Sequence, residues 1–509
     1  MFRILLILCL PSFLFAQTEL PKTAFDPCGS PVGIDPWLAR YVKNPDQYNS
    51  RSQDTLTVGV QVHLLATDAG GGRFSTERLL NAFCRLNSDF EGTGIRFYFK
   101  NPWNLVNKTS WYKHSDIPAG IQMMLTNDVP DALNSYFVQD PAGNCGYSLP
   151  YGGVAINHSC ANANDHTWAH EIGHTLSLPH PFLGWEGKTY SYNTPTPELL
   201  TYDYTYFHDT LDTTIPAPLD TALVEYLDGS NCALAADLFC DTKPDYLSYR
   251  WSCDAQNNSL VKHKDPSGAD FYADGTLFMS YSSDECQNRF SPQQIAAMRA
   301  NLLSEKSSWL YNGPVDGKIT AVPNGLSPVA NEITADSAVT LRWSSVPNAA
   351  YYYVLGSRII NFAARDIEFI TTDTTAVTGK LISNKKYYWK VRPFNNFYTC
   401  TNYADIQSFI TASTTAVKEP NAQGFRCYPN ILTPGATLIL EQNAVRESSE
   451  TTVMVLNAAG QICLKQTAPW TDRKIHLEIP AKNWPQGVYQ VLVIDAHCIE
   501  SQRFILAAQ

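Results

Sequence analysis

The sequence has no long block of charge of one sign. Its 509 residues include 37 Lys and Arg against 48 Asp and Glu, which gives a formal net charge of −11. Proteins that bind nucleic acids or anionic membranes present clustered positive charge. This composition argues against both kinds of partner.

Long apolar runs are also missing. A transmembrane helix needs about 20 apolar residues, and no segment of the chain reaches that length. The N-terminal apolar run covers residues 4–15, follows Arg3 and ends at Ala16, an arrangement typical of a cleaved secretory signal. We predict a signal peptide at residues 1–16, no transmembrane segment in the mature chain, and a secreted or cell-surface location.

Cysteines with the CxxC spacing of thiolate zinc sites are absent as well. The chain has 13 cysteines, of which Cys9 would leave with the signal peptide. Exported proteins meet an oxidising compartment in which most cysteines pair. Most of the remaining cysteines are therefore predicted to form disulfides.

A chain of this length exceeds what one hydrophobic core organises, so several domains are expected. Strand-like and helix-like patterns alternate in the first of them. Strands are predicted at residues 56–65, 95–100 and 152–158, helices at residues 77–90 and 167–178, and an extended surface excursion at residues 188–217. This alternation predicts an α+β domain.

Evenly spaced strands with turn signals between them follow Pro314, the pattern of an all-β sandwich. Trp343 on an early strand and YYWKVRPFN on a later one make residues 318–412 resemble a fibronectin type III domain. After a linker, the YPN, AAGQ and GVYQV segments of residues 424–509 resemble a type IX secretion C-terminal sorting domain. That resemblance implies the type IX machinery as a partner, and another adhesive β-sandwich is the alternative.

The segment HEIGHTLSLPH contains the candidate metal ligands and the candidate catalytic carboxylate. His170 and His174 lie four residues apart and share one face of a helix, where neutral imidazoles bind zinc. Glu171 would polarise the attacking water, as in HExxH proteases. His180 would be the third ligand if the helix stops before it, which Pro179 favours. His166 is the rival third ligand, with a less suitable offset.

This spacing is similar to the metzincin pattern HExxHxxGxxH. The MSY segment, about a hundred residues later, is similar to a second conserved motif of that family. Met279 then matches the Met-turn of that family, and Tyr281 matches the Tyr two residues after it. The LNSDF, GTGIRF, SNC and LFCDTKPD segments follow the order of the pappalysin family within the metzincins. The resemblance covers residues 56–303 and implies a twisted sheet, an active-site helix and a Met-turn in a catalytic domain at residues 51–313.

Two residues depart from that family. Ser177 stands where the family has Gly, at a position that commonly needs a left-handed backbone, so it requires strain or a local hydrogen bond. Lys243 replaces a Pro in a loop. The departure at Ser177 bears on the geometry of His180 and not on the class of protein.

Together these features predict a multidomain fold, with an α+β metzincin-type catalytic domain followed by two all-β sandwich domains. The predicted activity is that of a secreted zinc endopeptidase that hydrolyses peptide bonds in proteins or peptides with a zinc-bound water. Glu171 is the general base, and Tyr281 donates to the developing oxyanion or binds zinc in the absence of substrate. A substrate strand is expected alongside GGVAIN.

Two other functions and a second metal stay open at this stage. One is an adhesive or scaffolding surface protein with an inactive metalloprotease domain, and the other is an esterase or amidase with the same zinc chemistry. The intact Glu171 argues against the first. Calcium stays open as a second metal.

The family resemblance implies further roles for particular residues. Cys28 would ligate zinc in a latent precursor with a propeptide at residues 17–50, cut between Ser50 and Arg51; a Cys28–Cys84 disulfide is the alternative. Glu285 would form the base of a pocket for Arg or Lys after the scissile bond, with Asp284 as the alternative acid. The expected disulfides are Cys145–Cys160, Cys232–Cys253 and Cys240–Cys286.

Overall fold

The computed structural model describes residues 25–48, 54–149, 153–205, 216–334, 338–412, 424–442, 451–480, 484–494 and 499–507. The chain divides into two compact units, Met1–Thr411 and Ala412–Gln509. The predicted signal peptide and the Ser50–Arg51 bond lie outside the described residues. Within them, no helix combines the length and the apolar character needed to cross a bilayer.

The first part of unit one combines helices with a mixed sheet. Its helices are α1 (Pro36–Tyr41), α2 (Thr76–Asp89), α3 (Thr109–Tyr112), α4 (Ile117–Asn127), α5 (Thr167–Thr175) and α6 (Pro292–Ser304). Its strands are β1 (Leu56–Ala66), β2 (Ile95–Phe99), β3 (Asn104–Asn107), β4 (Lys113–His114), β5 (Leu133–Val138), β6 (Asp140–Pro141), β7 (Gly146–Ser148), β8 (Val154–Asn157), β9 (Leu199–Asp203), β10 (Leu219–Leu223), β11 (Asn258–Lys264) and β12 (Asp270–Asp274).

The main sheet has the order β2-β1-β5-β8-β7, and β3 also pairs with β1. All of its pairings are parallel except that of β7 with β8. Every residue of β1 is buried, as expected for a strand that is covered on both faces. One face packs with α1, α2, α5 and α6 in the largest hydrophobic cluster, and α4 covers the other.

The active-site helix is shorter than the sequence predicts. α5 ends at Thr175, whereas the expected end was residue 178. Ser177 takes a left-handed backbone with φ of +72°, and the Leu178 N–H donates to the Gly173 carbonyl at 2.9 Å. This turn ends the helix before Pro179, because a left-handed residue cannot continue a right-handed helix.

The excursion at residues 188–217 contains regular secondary structure, which the sequence did not predict. β9 and β10 form an antiparallel hairpin, with side chains alternating between buried and exposed along β9. Residues 206–215 lie outside the described part of the chain.

The second part of unit one consists of two packed sheets. Its strands are β13 (Gly325–Ser327), β14 (Glu332–Thr334), β15 (Thr340–Trp343), β16 (Tyr351–Ser357), β17 (Ile367–Thr371), β18 (Thr375–Val377), β19 (Lys386–Phe394) and β20 (Gln407–Thr411). The sheets have the orders β13-β15-β18 and β14-β20-β19-β16-β17. Trp343 and Trp389 are buried in the core between them, as expected for an aligned β-sandwich.

This sandwich is attached to α2 by covalent and polar contacts. A disulfide joins Cys84 to Cys400, and Arg392 Nη1 donates to Asn81 Oδ1 at 2.6 Å. Glu77 accepts from Arg365 Nη2 and from the Tyr403 hydroxyl, both at 2.9 Å. The two expected domains therefore lie in one compact unit.

Unit two is a separate sandwich. Its strands are β21 (Phe425–Tyr428), β22 (Ile431–Leu432), β23 (Thr437–Gln442), β24 (Thr451–Leu456), β25 (Ile462–Ala468), β26 (Lys474–Glu478), β27 (Gly487–Ile494) and β28 (Ile499–Leu506). They form sheets of order β21-β23-β26 and β22-β28-β27-β24-β25, around a core that includes Leu438, Val453 and Val491.

The disulfides differ in part from the expected pairing. Cys145–Cys160 is present. The two pairings predicted for the remaining four cysteines are wrong: the structure has Cys232–Cys240 and Cys253–Cys286. The Cα atoms of Cys232 and Cys240 are 5.0 Å apart across a tight loop, a separation well suited to a disulfide, and the family order of cysteines carries no such distance.

Candidate metal centre

Three histidine side chains converge at the end of α5. His170 and His174 lie one helical turn apart on α5, and the left-handed turn at Ser177 brings His180 back toward them. The Nε2 atoms of His170 and His174 are 3.1 Å apart, those of His174 and His180 3.1 Å, and those of His170 and His180 3.3 Å. Two ligands of a tetrahedral zinc with bonds of about 2.0 Å lie about 3.3 Å apart, so the spacing fits zinc.

The other ring nitrogens of His170 and His174 are held by backbone carbonyls, and that of His180 lies near a carboxylate. His170 Nδ1 lies 2.7 Å from the Phe278 carbonyl and His174 Nδ1 lies 2.8 Å from that of Leu178. An Nδ1–H donated there leaves Nε2 as the lone-pair atom. His180 Nδ1 lies 3.5 Å from Glu186 Oε1.

Burial keeps these imidazoles neutral. It lowers the pKa of His170 to about 3, assisted by the nearby His180, and that of His180 to about 3. Burial and the two neighbouring histidines also lower the pKa of His174. Neutral imidazole is the form that binds metal, so the three side chains are ready to act as ligands at neutral pH.

Cys28 completes a set of four candidate ligands. Its Sγ and the three imidazole nitrogens lie within 4.8 Å of one another. Burial and the adjacent Glu171 raise the pKa of the Cys28 thiol, so a bound cation is needed to favour the thiolate. Cys28 is not bonded to Cys84, whose partner is Cys400.

Glu171 is buried beside the four candidate ligands. Burial raises the pKa of its carboxyl to about 8. Its Oε2 accepts from the Ser30 hydroxyl at 2.7 Å, and Ser30 Oγ in turn accepts from the Ser148 N–H at 2.7 Å. Gly146 leaves room for the carboxylate, since a Cβ there would lie 2.8 Å from Glu171 Cγ.

Met279 and Tyr281 surround the same centre. Met279 is fully buried beneath α5, so close to Gly173 that a Cβ on that glycine would lie 2.3 Å from the Met279 sulfur. The Tyr281 ring packs against that of His180 with centroids 4.9 Å apart. Its hydroxyl donates to the Cys28 carbonyl at 3.4 Å, and burial raises its pKa.

A cavity beside His170 and Tyr281 contains Asp284 rather than Glu285 in its wall. Glu285 is exposed, so the structure does not support its assignment to the pocket. The side chains of neighbouring residues on this turn point in different directions. The disulfide between the buried Cys286 and Cys253 fixes the orientation of the turn.

The pocket acid is part of a charged group. Asp284 accepts from Arg250 and from the His166 N–H at 3.2 Å. Burial and the charge of Asp284 raise the pKa of Asp165 to about 7. His166 itself lies 3.0 Å from Asp89 and is not one of the converging ligands.

The outer strand of the sheet next to the site is β7 and not the GGVAIN segment. β8 pairs with β5 on one side and with β7 on the other, so its hydrogen-bonding groups are used. Residues 26–30 lie along β7: the Gly29 N–H donates to the Gly146 carbonyl at 2.9 Å, and the Cys145 N–H donates to the Asp26 carbonyl at 2.7 Å.

The side chain of Ser177 hydrogen-bonds to residues that are distant in the sequence, and not to a local partner. Its hydroxyl donates to Asp35 and accepts from Asn301 Nδ2 at 2.9 Å. Asp35 also caps α1 by accepting from the Trp37 N–H at 2.7 Å. The residue that departs from the pappalysin pattern thus connects the turn before His180 to the N-terminal segment.

Sequence reasoning missed Ser30, Asp35, Arg250 and Asp165. Ser30 stands two residues after Cys28 in DPCGSP, and that proximity was the one available signal. The other three are distant in the chain from their partners, and no periodicity or motif marks such contacts.

No family model matches the chain. It is 25% identical over 269 residues to an extracellular metalloprotease of Arthroderma gypseum. The aligned region covers 49% of this chain and 73% of the relative. It is 28% identical over 158 residues to an extracellular metalloprotease of Podospora anserina. The aligned region covers 25% of this chain and 51% of the relative. The chain therefore spans about half the length of that second relative.

Solved structures with some likeness include the FN1–FN3 domains of chicken CNTN1, at 13% identity and a TM-score of 0.15, covering 36% of this chain and 65% of that one. Another is FN3tt, at 21% identity and a TM-score of 0.14, covering 18% of this chain and 98% of that one. TM-scores this low do not establish a shared overall fold.

Proposed function

We propose that this chain is a secreted zinc endopeptidase of the metzincin type, similar to pappalysins. The convergence of three neutral imidazole Nε2 atoms within 3.1–3.3 Å of one another carries the proposal. A buried carboxylate adjacent in sequence and a Met beneath the helix support it, as do the two extracellular metalloprotease relatives.

Bound zinc would supply a Lewis acid and lower the pKa of a water toward about 7. His170, His174 and His180 would hold it. The carbonyls of Phe278 and Leu178 fix Nδ1 of the first two, and Nδ1 of His180 lies 3.5 Å from Glu186 Oε1.

Glu171 would remove a proton from the attacking water and deliver it to the leaving amine. Its raised pKa, about 8, suits a group that must both accept and release a proton near neutral pH. Tyr281 would donate its hydroxyl to the developing oxyanion after releasing the Cys28 carbonyl. A substrate strand would pair with the β7 edge that residues 26–30 occupy.

In the precursor Cys28 would act as the fourth zinc ligand and keep water from the metal. Its Sγ lies within the four-ligand set, and three imidazole nitrogens with one thiolate are a ligand set that zinc would bind. Residues 17–50 would then be a propeptide.

The cavity wall favours a cationic side chain after the scissile bond. Asp284 and Asp165 bring two carboxylates near one guanidinium, that of Arg250. When both acids are ionised the group retains one net negative charge. We therefore assign the preference for Arg or Lys to Asp284 in place of Glu285.

We place the calcium that the sequence left open near Glu225 and Asp237, because calcium prefers carboxylate oxygens as ligands. Both side chains are buried, and among the described residues Glu225 Oε2 and Asp237 Oδ2 find no hydrogen-bond partner. Burial and the charge of Asp237 raise the pKa of Glu225 to about 9, and burial raises that of Asp237 to about 7. A bound calcium ion would compensate both charges.

Unit two is proposed to direct export through type IX secretion, on the resemblance of its YPN, AAGQ and GVYQV segments to sorting domains.

Cleavage of a peptide library by purified protein, with its zinc content measured, tests the proposed activity. Zinc-dependent cleavage of internal peptide bonds is expected. Hydrolysis of esters or terminal amides alone would contradict an endopeptidase.

A further inference from the structure

Residues 25–48 contact the rest of unit one at more places than the metal centre. At residues 26–30 the backbone pairs with the β7 edge. Further along, the Val32 N–H donates to Thr205 Oγ1 at 2.7 Å and the Thr205 N–H donates to the Val32 carbonyl at 2.9 Å. The segment is thus held by backbone bonds on both sides of Ser30.

The strongest attachment is α1. Trp37, Leu38 and Tyr41 are 3%, 0% and 8% exposed and belong to the largest hydrophobic cluster of the chain. Trp37 Nε1 donates to Ser304 Oγ on α6 at 3.0 Å. Burying three large side chains stabilises an interface by several times the effect of one surface hydrogen bond.

Ser177 adds a polar contact to this apolar one. Its hydroxyl donates to Asp35, the residue that caps α1, while Asn301 of α6 donates to the same hydroxyl. These contacts use residues of the segment that lie outside the metal centre and need no covalent connection to residue 54.

We propose that the face formed by the β7 edge, Thr205, Ser177 and α6 binds residues 25–48 as a separate polypeptide, so that the cut segment stays bound as an inhibitor. This rests on the proposed peptidase function. One cut between Tyr48 and Asp54 therefore leaves the protein latent, and release of the segment is a second, distinct step of activation.

The test uses the full chain with a site-specific protease sequence inserted between Tyr48 and Asp54. After cutting, gel filtration with mass spectrometry shows whether the segment elutes with the protein, and a peptide substrate reports activity. The cut wild-type protein is expected to keep the segment bound and to be no more active than the uncut, latent protein. Elution of the segment apart from wild-type protein would overturn the proposal, whether or not activity appears.

Leu38→Ala removes the fully buried anchor and is expected to weaken retention by at least about tenfold, so that cutting releases the segment and activity. Arg40→Ala, on the exposed side of α1, is the matched control and should retain it. Release from both variants alike would contradict a role for α1.

Ser177→Gly provides a second variant that tolerates the left-handed backbone if Leu38→Ala does not fold. Loss of the hydrogen bond to the Asp35 carboxylate is expected to speed loss of the cut segment roughly ten- to hundredfold. If the segment is released from a variant and no peptidase activity appears with zinc present, the retention result stands and the proposed function fails.

Discussion

Ser30 contacts two groups that the proposed reaction needs free, the Glu171 carboxylate and the Ser148 N–H. Cys28 lies among the candidate metal ligands and its thiol also donates to Glu171 Oε2 at 3.6 Å, whereas Ser30 contacts Glu171 and the sheet edge. Loss of either residue therefore leaves the contacts of the other in place.

We predict that Cys28→Ala gains partial activity toward short peptides in the uncut precursor, Ser30→Ala gains less, and the double variant gains more than the sum of the two. The physical reason is that zinc and Glu171 must both be free for turnover. Initial rates of the three precursors check this. Equal activity of Cys28→Ala and the double variant would show that Ser30 has no inhibitory role.

The pocket acid gives a second prediction at this scale. Asp284→Asn should reduce the preference for Arg over a neutral residue after the scissile bond by about 10- to 150-fold, since a charge-assisted hydrogen bond contributes roughly 1.5–3 kcal/mol. Glu285→Gln, adjacent and exposed, is the control and should keep it. The ratio of kcat/KM for paired peptides measures the change.

The same preference should depend on pH. Asp165 has a pKa raised to about 7, so the group near Arg250 gains its net negative charge as pH rises through that value. Preference for Arg is expected to increase from pH 6 to pH 8. A preference that falls over this range would contradict the assignment.

At the scale of elements, the loop after β10 carries the buried pair Glu225 and Asp237. Both carboxyls have folded-state pKa values raised above their unfolded values. Without a cation, the stability present at low pH is therefore lost as pH rises from the ordinary carboxyl range to about 7 for Asp237 and to about 9 for Glu225. A bound cation would remove this loss.

We predict that in calcium-depleted buffer without chelator the melting temperature falls between pH 5 and pH 8, and that calcium raises it more at pH 8 than at pH 5. Asp237→Asn should be less sensitive to pH and to calcium. Thermal unfolding with zinc present throughout checks this. An equal effect of calcium on wild type and Asp237→Asn would place any calcium elsewhere.

The elements also show how far the sequence predicts the site. Helical spacing and strand composition located β1, α2 and α5, and the HExxH pattern located the two ligands on one helix, because these depend on local periodicity. The end of α5 could not be predicted from Pro179. It depends on Ser177, whose backbone is supported by Asp35 and Asn301, and those contacts span more than a hundred residues of sequence.

At the scale of the whole molecule, the first sandwich belongs to the same compact unit as the candidate metal centre. Its Cys400 and Arg392 contact α2, and α2 packs against α5. The sequence showed two domain patterns and gave no sign of their attachment, because a disulfide between residues 316 positions apart leaves no local signature. The two wrong disulfide pairings have another cause: the true partners are only 8 and 33 positions apart, and the order of cysteines along the chain carries no information on distance.

We predict that replacing Cys84 and Cys400 by Ser lowers the free energy of unfolding by about 2–5 kcal/mol, because the bond closes a long loop of chain. Replacing Cys232 and Cys240, which are only 8 positions apart, should cost less. Denaturant unfolding of both double variants tests the order. A smaller effect of the long-range pair would contradict an integral sandwich.

The central claim is that His170, His174 and His180 hold zinc, while Glu171 accepts a proton from the attacking water and does not bind the metal. The most direct measurement compares zinc content and turnover of the Cys28→Ala/Ser30→Ala protein with and without Glu171→Gln. The account predicts one zinc per chain in both and a fall in turnover of at least about 100-fold, the usual contribution of general acid–base catalysis. Turnover that survives Glu171→Gln, or zinc that is lost with it, would contradict the account.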